Sequence, residues 1–275
     1  MYSRILISVS ATLLSACGGG GSGTDASPSV SQIQAQNLRY GQTTTITVAG
    51  KYMRSDMTAS TGTCTNPSFS TTSTPDVAVL TCKVTASGLL PISINTANGA
   101  VLYSTTLTVL PPQVTVVTSK GNIVVELNPT AASNTVNNFM SYVSSGFYRN
   151  TLFHRVIPGF VIQAGGYTTG LVSKPGKLAP IALESNNGLS NVRGALAMAR
   201  TDAFNSATSE FFVNLVNNTA LDYKSAAAPG YAVFGKVVSG LDVVDAIAAV
   251  ATGDFEGVPD VPTTDITITL AIQTQ

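Results

Sequence analysis

The sequence predicts a mainly β protein with two folded regions. The first is an immunoglobulin-like β-sandwich over residues 28–112, and the second a closed β-barrel capped by two helices over 113–275. Three observations lead there. Apolar residues alternate with polar ones at period two in short runs, the mark of half-buried strands. Only two stretches carry a helical period, and nothing alternates strand with helix as a parallel sheet requires. The pair Pro111-Pro112 separates a charge-poor, Ser/Thr-rich half from one of different texture.

Composition bounds the function. The chain has 275 residues, with 14 Lys+Arg against 14 Asp+Glu, so the formal net charge is zero. Without a basic run it lacks the electrostatic footprint of a nucleic-acid binder. Charged residues make up 10% and hydrophobic ones 44%, the reverse of a disordered chain. Three cysteines and one histidine leave little with which to build a metal site, so neither metal nor cofactor is expected.

Residues 1–17 place one cation, Arg4, before an apolar stretch at 5–14. That stretch is too short to span a bilayer and fits the hydrophobic region of an export signal. It ends in Leu14-Ser15-Ala16-Cys17, which resembles a bacterial lipobox. The resemblance implies that Cys17 is lipidated, becomes the mature N-terminus and holds the protein on a membrane without spanning it. Residues 18–27, GGGGSGTDAS, form a flexible tether. With Gly18 rather than aspartate after the cysteine, the expected location is the outer membrane, facing the periplasm.

In 28–112 the alternating runs are 45–48, then Leu80, Cys82 and Val84, then Ile92 and Ile94, then Val101, Tyr103, Leu107 and Val109. Asn98-Gly99 lies between two of them and signals a hairpin. Cys64 and Cys82 are expected to form a disulfide, because an exported chain meets an oxidising compartment. No binding motif marks this region, and spacer or partner-binding module both remain open. After the proline pair come strand-like runs with Val114, Val116, Ile123 and Val125, joined by a turn at 119–122. Ser133-Asn134 is expected to cap a helix carrying Val136, Phe139, Met140 and Val143 on one face, closed by Gly146. A second helix is expected near 240–250, with Leu241, Val244, Ile247 and Ala248 on one stripe.

Four blocks carry the chemistry: FHRVIPGFVIQAGG at 153–166, GALAMAR at 194–200, SATSEFFVN at 206–214, and Leu221-Asp222 followed by YAVFGKV at 231–237. In this order and spacing they resemble the cyclophilin family of peptidyl-prolyl cis-trans isomerases, most nearly bacterial periplasmic members, over about 113–275. The resemblance implies a monomeric isomerase acting on proline-containing unfolded or extended polypeptides. It assigns Arg155 as the catalytic arginine. Gln163 becomes the amide that holds a substrate carbonyl and braces Arg155. Phe160, Phe212 and Leu221 match the proline pocket, and Val161 stands where many relatives have methionine. Ala199, Arg200 and Thr201 match the segment against the substrate backbone, and Tyr231 stands where many eukaryotic members carry histidine.

Two further departures stand out. Glu210 replaces the usual glutamine and adds a negative charge expected near Arg155, able to orient or quench it. Ala220 replaces a large aromatic at the pocket rim, often a tryptophan that supports cyclosporin binding, so weak cyclosporin binding is expected. His154, the one histidine, invites a serine-hydrolase reading, but no G-x-S-x-G is present and the family pattern makes it structural. Two other functions compete: a non-catalytic module that holds proline segments in the same groove, and a surface lipoprotein acting through the sandwich. An intact Arg155, Phe160, Gln163 and Phe212 favour the enzyme.

Overall fold

The computed structural model describes residues 26–72 and 74–275; the expected export signal, Cys17 and nearly all of the expected tether lie outside the described residues. Contacts divide the chain into two units. One comprises residues up to Leu38, Gln42–Val84 and Leu89–Thr108; the other comprises Arg39–Gly41, Thr85–Gly88 and Val109–Gln275.

The first unit contains β1 (Ser29–Gln36), β2 (Thr43–Lys51), β3 (Thr58–Ser60), β4 (Cys64–Thr71), β5 (Val77–Val84), β6 (Gly88–Asn95) and β7 (Val101–Val109). They form a four-stranded sheet in the order β1-β2-β5-β4 and a three-stranded sheet in the order β3-β6-β7. In chain order this is the constant-type immunoglobulin arrangement. Each sheet has one buried face set by the period-two pattern. Ile46 and Val48 of β2, Ala78, Leu80 and Val84 of β5, and Leu90, Ile92 and Ile94 of β6 are all buried. Gly99, at φ 85°, turns the chain between β6 and β7, where Thr96 N donates to Ala100 O at 2.8 Å. The Cys64–Cys82 disulfide spans a Cα–Cα distance of 5.4 Å and joins β4 to β5. These are neighbours in one sheet, so the bridge reinforces a strand pair rather than linking the two sheets.

The second unit begins with β8 (Gln113–Thr118), β9 (Gly121–Leu127), α1 (Ser133–Ser144), β10 (Thr151–Ile157) and β11 (Val161–Ala164). It continues through a small hairpin, β12 (Tyr167–Thr168) and β13 (Val172–Ser173), to β14 (Ala195–Met198), β15 (Phe211–Asn214) and β16 (Val233–Ser239). It ends with α2 (Leu241–Ala248), a second hairpin of β17 (Thr252–Phe255) and β18 (Val258–Pro262), and β19 (Thr267–Gln273). Eight of these strands close into a barrel in the order β10-β11-β15-β14-β16-β9-β8-β19. Closure is short, through Thr151↔Ile268 and Leu152↔Thr267.

Strand parity sorts the side chains into two sets. Phe153, Val156, Ile162, Ala164, Leu196, Met198, Phe211, Val213 and Phe234 join the main core. Phe139 of α1 meets Phe211 edge-on at 5.5 Å and Phe234 at 5.3 Å, so this helix seals that core. The alternate residues face the other way and include the site.

Two helix expectations need correction. Neither Ser133 nor Asn134 caps α1 with its side chain; the N-cap is Ala132. The free backbone donors of the first turn are met instead by Glu184, which accepts from Asn134 N at 3.0 Å and Thr135 N at 2.7 Å. A carboxylate there also complements the positive end of the helix dipole. In α2, Val244 and Ile247 are buried, but Leu241, the first residue of the helix, remains 39% exposed.

Candidate active site

One row of residues, in register across five neighbouring strands, organises the site. Arg155 on β10 pairs with Gln163 on β11, Gln163 with Phe212 on β15, Phe212 with Ala197 on β14, and Ala197 with Val233 on β16. Because strand neighbours share a face, these side chains line the barrel's outer surface. A bulge makes the placement of Arg155 possible. The β10–β11 register slips by one between Phe153 and Arg155, so both His154 and Arg155 fall between the core residues Phe153 and Val156.

Beside Arg155 and Gln163 lies a second apolar cluster, separate from the main core: Val161, Ala195, Ala197, Phe212 and Val233. Phe160, Leu221, Tyr231 and Ala199 pack against it while remaining partly accessible. Phe212 meets Tyr231 edge-on at 5.5 Å, and the Arg200 guanidinium lies over the Tyr231 ring at 4.7 Å. Arg200 is further fixed by donating from Nε to Gly230 O at 3.0 Å and from Nη1 to Thr201 O at 2.8 Å. Thr201 is exposed, and its N–H and hydroxyl both bond Ser206 Oγ at 2.9 Å. Ala220 is exposed on the 3-10 turn Thr219–Leu221, so the rim carries no aromatic at that position.

A polar network, not recognised from the sequence, supports the apolar cluster. Asn218 Nδ2 donates to Phe160 O at 2.9 Å and to Asn214 Oδ1 at 2.8 Å. Asn214 Nδ2 donates to Asn191 Oδ1 at 3.2 Å, and Asn191 Nδ2 to Asp222 Oδ1 at 2.9 Å. Ser190 Oγ also donates to Asp222. Burial would raise the Asp222 carboxyl, but hydrogen bonds from Ser190 and Asn191 hold it below the usual range. The sequence signal was the density of asparagine around 187–218, a residue type that satisfies buried backbone from both sides of its amide. Gly230 is needed here, since at φ 64° its missing Cβ is the space occupied by Leu221 O and the Asp222 backbone.

Glu210 makes no ion pair with Arg155 among the described residues. Its Oε2 accepts from Gln163 Nε2 at 2.9 Å and lies 3.4 Å from His154 Nε2, while Oε1 lies 3.6 Å from Lys177 Nζ. Burial pushes this carboxyl up, but His154, Gln163 and Lys177 together outweigh burial and hold it below its ordinary value. The same charge, with burial, raises the Tyr167 phenol. Gly166 is fixed by this carboxylate: a Cβ there would collide with the Glu210 side chain. The carboxylate that does face Arg155 belongs to Asp260, with Oδ2 at 3.8 Å from Nε. Among the described residues no hydrogen bond joins Gln163 to Arg155; the Gln163 amide nitrogen donates to Glu210, which leaves the Gln163 side-chain carbonyl oxygen as the atom an arginine could bond.

A partly exposed fork of donors therefore borders an apolar cluster that includes aromatic rings, with an oriented amide beside it. This geometry suits a planar, neutral group carrying an apolar ring and a developing acceptor. Comparison with known proteins agrees. Residues 113–272 match the family described as cyclophilin type peptidyl-prolyl cis-trans isomerase/CLD. The chain is 50% identical over 157 residues to peptidyl-prolyl cis-trans isomerase B of Escherichia coli strain K12, covering 56% of this chain and 95% of that protein. It is also 50% identical over 153 residues to peptidyl-prolyl cis-trans isomerase cyp18 of Streptomyces antibioticus, covering 55% and 92%. A solved cyclophilin-type isomerase from Cryptosporidium parvum is similar over 60% of this chain and 98% of its own, at 23% identity and a TM-score of 0.49.

Proposed function

The chain belongs to the cyclophilin-type peptidyl-prolyl cis-trans isomerase family and is a rotamase; from that premise we propose that it turns X-Pro bonds in unfolded or extended exported polypeptides, with Arg155 stabilising the twisted amide. The observation that carries this reading is the registered row Arg155–Gln163–Phe212–Ala197–Val233 beside the outer apolar cluster.

The barrier to be lowered is loss of amide conjugation, about 18–20 kcal/mol. Left alone, the bond turns in tens of seconds or longer. As it twists, the proline nitrogen regains a lone pair and becomes an acceptor it was not in the ground state. A donor already aimed at that atom stabilises only the transition state, which is what raises rate. Arg155 supplies the donor, from a guanidinium that stays charged and offers a rigid fork. Phe160, Phe212 and Leu221 hold the proline ring, with Val161 beneath and Tyr231 at the side. The free N–H of Gln163 holds the flanking carbonyl, while Ala199, Arg200 and Thr201 border the peptide backbone. Rotation makes and breaks no covalent bond, so these residues need no redox or group-transfer cofactor.

Location is part of the proposal. The apolar stretch at 5–14 and the Leu14-Ser15-Ala16-Cys17 run support export and lipid anchoring at Cys17, with the outer membrane favoured by Gly18. The Cys64–Cys82 disulfide agrees with an oxidising compartment. Among the described residues no helix is long and apolar enough to cross a membrane. The enzymatic reading is tested by following cis-to-trans conversion of a short X-Pro peptide with the full chain. Concentration-dependent acceleration is expected; peptide binding with no acceleration would instead establish a non-catalytic proline-binding module.

A further inference from the structure

Arg155 stands where the barrel wall changes. β10 pairs with β19 only at Thr151 and Leu152. β18, from the hairpin outside the barrel, also lies alongside β10. This hairpin owes its shape to residues in the left-handed region. Glu256 and Gly257 turn it with φ of 51° and 84°, and Asp254 Oδ1 accepts from Gly257 N at 2.8 Å. Asp260 on β18 has φ 65° as well. That conformation is costly for most side chains and better tolerated by Asp and Asn, whose short polar groups bond locally. It sits opposite the catalytic arginine, and Asp260 is the only carboxylate within ion-pair distance of Arg155 among the described residues.

The direction of approach matters. The carboxylate faces Nε, one edge of a planar fork whose outer edge carries the two terminal nitrogens. At 3.8 Å the contact is an ion pair rather than a hydrogen bond, so the anion biases the plane by charge from the Nε edge and leaves the outer edge for an acceptor. Gln163 makes no hydrogen bond to Arg155 among the described residues; its Nε2 donates to Glu210 at 2.9 Å. We propose that Asp260 is a positioning residue for the isomerase, holding the Nε edge of Arg155 so that its terminal nitrogens face the proline pocket. The proposal rests on the reading of Arg155 as the donor.

Asp260→Asn is the clean probe, since Asn tolerates the same backbone and nearly the same shape while losing the charge. Both groups are partly exposed, with side-chain exposures of 41% and 36%, so the effect is modest. We expect kcat to fall about two- to five-fold with KM nearly unchanged. In an Arg155→Ala background the same substitution is expected to cause no further loss, and the order of the Arg155 ε-NH group, measured by NMR relaxation on the full chain, to fall in Asp260→Asn. An unchanged kcat, an equal loss in both backgrounds, or an ε-NH unaffected by the substitution would each overturn the proposal. If Arg155→Ala alone keeps full activity, the donor reading has failed. A loosened ε-NH in Asp260→Asn would then show that the contact exists but serves no catalysis.

Discussion

At the scale of single residues, Glu210 shows how a carboxylate stays ionised while mostly covered. Its folded value lies below the ordinary 4.5 because His154, Gln163 and Lys177 outweigh burial. A carboxyl depressed on folding contributes stability above its unfolded value, and that contribution disappears as pH falls through the folded value. Wild type is therefore expected to exceed Glu210→Gln in stability at neutral pH, with the gap closing only below about pH 4.5. Chemical denaturation at a series of pH values from 7 downward measures it, and a gap that does not narrow as pH falls below about 4.5 would contradict the cause. The sequence showed Glu210 and Gln163 as site residues but not their bond, nor the His154 and Lys177 contacts of the Glu210 carboxylate. Parity along a strand is legible from spacing. Which acid reaches Arg155 is not, since Asp260 arrives from 105 positions later (260 − 155) on a hairpin that the alternation alone did not reveal.

At the scale of elements, strand and helix existence was legible because both periods recur in the sequence, as in Ile46 and Val48 or Phe139 and Val143. The caps and the supporting network were not. Glu184 caps α1 from 49 positions beyond Thr135, and the Asn218–Asn214–Asn191–Asp222 chain forms only when the end of β15 and the segment after it meet the loop before β14. The turn Thr219–Leu221 divides its work: Leu221 packs on the outer apolar cluster while Ala220 stays exposed. Pocket and rim are thus separable. Ala220→Trp adds part of an aromatic surface of about 150–250 Å² in general, worth a few kcal/mol at about 25 cal/mol per Å². It is expected to tighten cyclosporin at least about tenfold while kcat/KM on a short proline peptide changes by less than about threefold. Inhibition titrations on both forms check this; tight, nanomolar-range inhibition of the unmodified chain would show that the rim is not open.

At the scale of the whole molecule, an immunoglobulin-type unit and an isomerase barrel share one chain. The account expects the barrel's groove to work on chains that have already crossed a membrane, and this gives the leader a testable role. Produced in a lipoprotein-competent bacterium, the mature protein should begin at a lipid-modified Cys17 by mass spectrometry and partition with membranes; an unmodified N-terminus beyond residue 17 would contradict the anchor. The central claim, though, is catalytic. Its most direct test is the cis–trans exchange rate of an X-Pro peptide, measured by NMR exchange with equal amounts of the wild-type chain and folded Arg155→Ala. Removing one preorganised donor typically costs on the order of 10²-fold. The account therefore predicts rapid exchange with wild type, a loss of about that size in Arg155→Ala, and no rescue by Arg155→Lys, which lacks the planar fork. Exchange by Arg155→Ala at the wild-type rate would contradict it.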